Sequence, residues 1–235
     1  MAPRHRGKKY TEVKKLVTQP FYNYKEAVAL LKKTSPVKFD ASCEIHLVLG
    51  IDPKQSDQNV RSTVALPHGT GKKVRVIAFV TEDKAKEALA AGADKAGNEE
   101  LIAEILKGFL DFDVAVATPD MMKGLVKVAK ILGQKGLMPN PKAGTVTTEI
   151  AKTIQQIKKG QVEFRNDKLG VVHNIFGKVS FTEQQLEENF LSLMHAIMEV
   201  KPPTQKGSYL QKISVATTMG PGMNIEIPTV MEAIK

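Results

Sequence analysis

Between Val37 and Glu44 the chain sets a cation, a flat ring and a hydroxyl close together, as Lys38, Phe39 and Ser42. Such a set can neutralise a phosphate, lay an apolar face on a ribose or base, and hydrogen-bond a sugar or phosphate oxygen. The plainer reading is that Phe39 is core and Lys38 is solvated. Thr218-Met219-Gly220 adds a hydroxyl, a pliable thioether and a residue without a side chain, where a backbone could approach a 2′-OH. Taken alone, that tripeptide is a turn after a strand.

Other chemistry is missing its parts. Gly69-Thr70-Gly71-Lys72 has neither the spacing of a phosphate loop nor a helix opening behind it to supply a dipole. Thr81-Glu82-Asp83 follows the first strand of the middle segment, where a dinucleotide site needs a glycine fingerprint. The 5 histidines show no ligand spacing and the single cysteine cannot build a zinc site, so no metal or cofactor is expected. No serine–histidine or paired-carboxylate arrangement stands out, and no catalytic residue is assigned. His46, within a strand pattern, reads as a satisfied, half-buried side chain. Cys43 reads as a small buried hydrophobe in a reducing compartment.

The formal net charge is +9, which favours a polyanionic partner. Its distribution is uneven. Residues 1–70 hold 12 basic and 6 acidic residues, residues 71–158 hold 14 and 11, and residues 159–235 hold 8 and 8. The first ten residues read as a basic arm without the apolar stretch of a secretory signal. No apolar run approaches the roughly 18 residues that a membrane helix needs.

These residues need elements to position them. Residues 11–34 read as one helix stopped by Thr34-Ser35-Pro36. Ile45, Leu47, Leu49 and Ile51 alternate with polar or small positions, as in a strand with one buried face. From Lys72 the pattern becomes strand, helix, strand, helix. Val74–Val80 and Asp113–Thr118 are apolar enough for a parallel sheet covered on both faces. Helices are expected at about 83–91, 99–109 (capped by the Asn98 side chain), 120–132 and 148–158. Beyond Gly160, residues 161–165 and 171–180 read as a hairpin around Asn166–Gly170. Thr182 and Gln185 then form a capping box for a helix ended by Lys201-Pro202-Pro203, and a strand follows at 210–217.

The stretch from Gly136 to Val146 carries more information than any other. Pro139 and Pro141 each fix a φ and restrict the residue before them, so Asn140 is held extended between them. Physical argument alone makes this a recognition loop or a structural corner. Its wording, from Ala129-Lys130-Ile131-Leu132-Gly133-Gln134-Lys135-Gly136 into Leu-Met-Pro-Asn-Pro-Lys-Ala-Gly-Thr-Val, closely resembles the signature of the bacterial-type ribosomal protein L-one family. Lys38–His46, Leu49–Pro53, Ser56–Arg61, Val162–Lys168 and Thr217–Gly222 fit the same family in order. The resemblance runs over about residues 7 to 227.

The resemblance implies an α/β protein in two parts. A discontinuous α+β domain is formed by both chain ends, 1–69 and 159–235. A Rossmann-like, three-layer α/β domain, 70–158, is inserted into it, with a two-strand hinge near 67–71 and 158–161. The first would bind large-subunit ribosomal RNA at the mobile stalk through Lys38, Phe39, Ser42, Thr218, Met219 and Gly220. Arg165, Asp167 and Lys168 are further candidates. The resemblance also implies help in releasing deacylated transfer RNA from the exit site and repression of the chain's own operon messenger RNA. It implies a cytoplasmic place in the large subunit, with no enzymatic activity, cofactor, membrane or small-molecule substrate. The alternative is a free-standing RNA-binding translational regulator.

Three positions depart from the family pattern. Ser42 is commonly threonine, so a methyl contact is lost while the hydroxyl stays. Gln134 and Lys135 stand where proline and arginine are common, and lysine lacks the bidentate fork. Lys123, Lys127 and Lys130 recur at helical spacing, as a basic stripe or simply a solvated face.

Overall fold

The computed structural model describes residues 7–234; residues 1–6 of the basic arm lie outside them. The chain divides into two compact units, Met1–Gly71 with Phe164–Lys235, and Lys72–Glu163. Together they make a mixed α/β protein.

The first unit is built on a four-stranded antiparallel sheet ordered Val171–Lys178, Ser42–Leu49, Leu210–Thr217, Met223–Ile225. Burial alternates along Ser42–Leu49. Cys43, Ile45, Leu47 and Leu49 are buried, while Ser42, Glu44, His46 and Val48 are partly exposed. Period-two patterning therefore gives the sheet one face for the core and one for solvent. Helices Tyr24–Lys33 and Glu183–Glu199 bring Val28, Leu31, Leu186, Phe190, Leu193 and Ile197 into the core. Tyr24 stacks on Phe190 with ring centroids 6.1 Å apart, and Phe176 meets the same ring edge-on. The Thr182–Gln185 capping box is present with both of its hydrogen bonds.

Three expectations for this unit fail. The single helix over 11–34 is two, Lys8–Lys14 and Tyr24–Lys33. Pro20 offers no N–H, and the phenolic oxygen of Tyr22 takes the amides of Thr18 and Gln19 at 2.8 and 2.9 Å. Part of the expected basic arm, from Lys8, is thus helical. The hairpin does not form. Gln161–Arg165 pairs with Arg61–Ala65, and Val171–Lys178 pairs with Ser42–Leu49. Only one bridge, Asn166 to Val172, joins the two strands across the turn.

The second unit holds a parallel sheet ordered Lys95–Gly97, Val76–Phe79, Val114–Ala117. Both faces are covered. Ile77, Phe79, Ala115 and Ala117 pack with Leu101, Ile105, Leu125 and Leu132 on one side. Val76, Ala78 and Val116 pack with Ala88, Ile150, Ile154 and Ile157 on the other. Helix Glu99–Leu106 begins at Asn98, whose side chain makes no capping bond, contrary to expectation. Its backbone carbonyl accepts the Ile102 amide at 3.2 Å. The helix expected over 120–132 is a chain of short turns, Pro119–Met121, Met122–Leu125, Val126–Val128 and Ala129–Lys135.

The Gly136–Val146 stretch is a corner locked onto the sheet edge. Asn140 is extended, at φ −139° and ψ 133°, and its side chain accepts the Lys142 amide at 2.8 Å. Thr145 Oγ1 accepts the Asn140 amide at 2.8 Å. The Ala117 amide donates to the Thr145 carbonyl and the Thr147 amide to the Ala117 carbonyl. Leu137 and Met138 pack on the core while Pro141 and Lys142 stay exposed.

Candidate nucleic-acid interface

Two of the strand ends in the first unit are clasped by a threonine. The Thr218 amide donates to the Ser42 carbonyl at 3.0 Å, and the Ser42 amide donates to Thr218 Oγ1 at 3.1 Å. Thr218 Oγ1 also lies 3.3 Å from a Glu44 carboxylate oxygen. Lys178, opposite Ser42 in the strand register, donates to Ser42 Oγ at 2.9 Å. Directly opposed residues share a face, so Ser42, Thr218, Glu44 and Lys178 form one polar cluster on the open side of the sheet.

Large apolar side chains flank this cluster without burial. Phe39 is 59% exposed and Met219 is 71% exposed. The core reading of Phe39 is therefore wrong, and Lys38 beside it is exposed as well. Met219 has φ 65°, the only positive φ at a non-glycine among the described residues. That region is unfavourable for a residue with a Cβ. Gly220 is glycine for an internal reason. A Cβ there would collide with the Thr217 hydroxyl and press on the Thr34 carbonyl at 3.1 Å. Its amide donates to the Thr217 carbonyl at 2.8 Å.

Arg165, Asp167 and Lys168 gather at the other end of the same strands. With Asn59 and His173 they line an open cavity of about 590 Å³. Asp167 organises the turn. Its Oδ1 accepts the Leu169 and Val171 amides, both at 2.8 Å, and the Val171 bond foremost holds its carboxyl below the usual range. Ser42 to Val48 spans roughly 20 Å at strand rise, so the nine predicted residues form two groups at opposite ends.

A row of side chains joins them. From Ser42 the outer face runs to Glu44 and His46, and His46 stands opposite His173 with Nδ1 to Nδ1 at 2.8 Å. His173 Nε2 is 3.8 Å from an Asp167 carboxylate oxygen. Burial, and then its neighbour His173, lower the pKa of His46. Sequence reasoning missed Glu44, Lys178 and His173 as part of this face. Period two from Ser42 points to Glu44, but only the strand register reveals Lys178 and His173. Among the described residues, no group of three or more His, Cys, Asp or Glu side chains could hold a metal ion.

The sequence model of the ribosomal protein L1p/L10e family matches residues 31–221, which take in Lys38, Phe39, Ser42, Glu44 and Thr218–Gly220. The chain belongs to that family. A large ribosomal subunit protein uL1 of Chloroflexus aggregans (strain MD-66 / DSM 9485) is 52% identical over 232 residues, covering 97% of this chain and 98% of the relative. Another, from Protochlamydia amoebophila (strain UWE25), is 52% identical over 206 residues, covering 88% and 87%. Membership in the ribosomal protein L1p/L10e family makes this a structural ribosomal protein and not an enzyme.

Proposed function

We propose that the chain is a cytoplasmic component of the large ribosomal subunit and grips ribosomal RNA of the stalk with the open sheet face of its first unit. One observation carries this reading: Phe39, three residues before Ser42, and Met219, next to Thr218, both stand exposed beside the Ser42–Thr218–Lys178 cluster. Apolar surfaces beside hydroxyls and cations suit unpaired nucleotides, whose bases stack while their sugars and phosphates hydrogen-bond. Lys38 and Lys178 supply charge, and Arg165 and Lys168 extend it to the far end of the strands.

The second unit would act on transfer RNA. Lys123, Lys127, Lys130, Lys135 and Lys142 are all exposed there, on the short turns and the proline-held corner. They give a basic surface suited to phosphate contacts as deacylated transfer RNA leaves the exit site. An operon messenger that presents the stalk shape would compete for the first unit, and the protein would then repress its own synthesis. Overproduction should lower translation of a reporter carrying that leader; unchanged translation would remove the repression from the proposal.

The central test is a salt-series titration against the stalk segment of large-subunit ribosomal RNA. Wild type should bind selectively, and the Phe39→Ala/Met219→Ala double variant should lose that selectivity while folding normally. Equal, weak and steeply salt-dependent binding by both would mean that only the net charge acts. Co-sedimentation with large subunits in high salt separates a resident protein from a free-standing regulator.

A further inference from the structure

A recess behind Met219 involves residues that the RNA reading has not used. Lys9, Tyr10, Pro36, Val37, Met219 and Gly220 line an open cavity of about 430 Å³, a size typical of small-ligand sites. Tyr10 belongs to helix Lys8–Lys14 and is half-buried, so one part of its ring is held and another is offered to the cavity. Pro36 and Val37 form a wall that leads directly into Lys38 and Phe39. Met219 lines it as well, its backbone at φ 65° in the turn that Gly220 completes. That turn keeps the thioether at the surface, where a flexible, polarisable side chain can settle on an aromatic face.

The charge on the residues that line this recess has one sign. Among the described residues none that lines it is acidic, Lys9 belongs to its lining, and Lys8 and Lys38, next in the chain to Lys9 and Val37, are exposed. An apolar slot edged by cations fits a flat uncharged ring attached to a phosphate. It is also continuous, through Met219 and Gly220, with the face proposed to bind RNA. We propose that the recess takes one unstacked nucleobase of the bound RNA, with Tyr10 as the stacking platform, Met219 as an apolar wall and Lys9 on the adjoining phosphate. This inference rests on the RNA-binding reading and adds to it a base-stacking anchor on the first helix.

The test uses the full chain and the stalk RNA segment, with each unpaired nucleotide replaced in turn by an abasic one. Stacking on an aromatic side chain is strong enough that Tyr10→Leu should weaken binding about tenfold, while Tyr10→Phe should bind like wild type. One abasic position should weaken wild type by a similar factor and leave Tyr10→Leu unaffected, the non-additivity that marks a direct contact. Thermal unfolding of each variant checks that the helix stays docked. If Tyr10→Leu binds like wild type while Phe39→Ala is weakened, the recess holds no base and the RNA-binding reading stands. If Tyr10→Leu and every abasic position combine additively, the ring only supports the helix, and the inference is overturned. If wild type fails to prefer the stalk segment over a plain duplex, the RNA-binding reading falls and this inference with it.

Discussion

His46 and His173 face each other across two antiparallel strands with their Nδ1 atoms 2.8 Å apart. At that distance one ring must donate and the other accept, so the contact requires at least one ring to be neutral at Nδ1. Burial of His46, reinforced by His173, holds its folded pKa below 6.5. In the unfolded chain this histidine takes up its proton first, so between the two pKa values the unfolded state binds more protons. The stability that the neutral ring contributes is complete above pH 6.5 and is lost as the pH falls towards the folded value. The thermal midpoint should drop between pH 7.5 and pH 5.5. In His173→Asn, with the neighbouring charge removed, the His46 NMR titration should move up. A His46 titration unaltered by that substitution would show that the two rings are not coupled.

Cys43 gives a second prediction. It is fully buried on the core side of its strand, and burial first, with Asp40 and Glu44 behind it, pushes its thiol pKa to about 12. The reactive thiolate is therefore scarce at neutral pH. A chromogenic disulfide reagent should leave the native protein unlabelled over hours and react at once in denaturant. Rapid labelling of the native state at pH 7.5 would contradict this burial.

Asn189 lies within a helix that otherwise follows an apolar period, yet it is completely buried. Its amide nitrogen donates to the carbonyls of Gly69 and Phe176 at 2.9 and 2.8 Å, and its oxygen accepts the His68 amide at 3.1 Å. Asn189→Leu keeps the volume but leaves three backbone groups without partners. The expected loss is about 3 kcal/mol, read as a shift in the urea midpoint with an unchanged slope. A loss below 0.5 kcal/mol would mean that water replaces the side chain.

What was legible in the chain was local. The Thr182–Gln185 box, the alternation along Ser42–Leu49, and the Asn140 conformation between two prolines each depend on neighbours within a few residues. Apart from the helix broken at Pro20 and Tyr22, the failures in the first unit depend on distant partners. A turn at Asn166–Gly170 is present, but residues 161–165 find their partner at Arg61–Ala65, and no nearby residue signals that choice. Lys178 joins Ser42 only through register. Phe39 looks like core in any window, because nothing near it in the chain says that the bend before Ser42–Leu49 leaves its ring 59% exposed. The Asn98 failure is of another kind: the residue type was right for a cap, but its backbone, at φ −121° and ψ −104°, makes no side-chain capping bond.

Met219 separates stability from function most cleanly. A methionine in the left-handed region carries a cost that glycine avoids, partly offset by the greater freedom glycine has when unfolded. Met219 is also largely exposed, so removing its side chain forfeits little core packing. Met219→Gly should therefore raise stability by up to about 1 kcal/mol. If the turn exists to present the thioether to RNA, the same change should weaken stalk RNA binding while the fold gains. Met219→Leu keeps an apolar side chain but gives up the flexible thioether, so it should bind better than glycine and be no more stable than wild type. Chemical denaturation and RNA titration on the three proteins settle the matter. Stability and affinity rising together in Met219→Gly would show that the strained methionine serves neither.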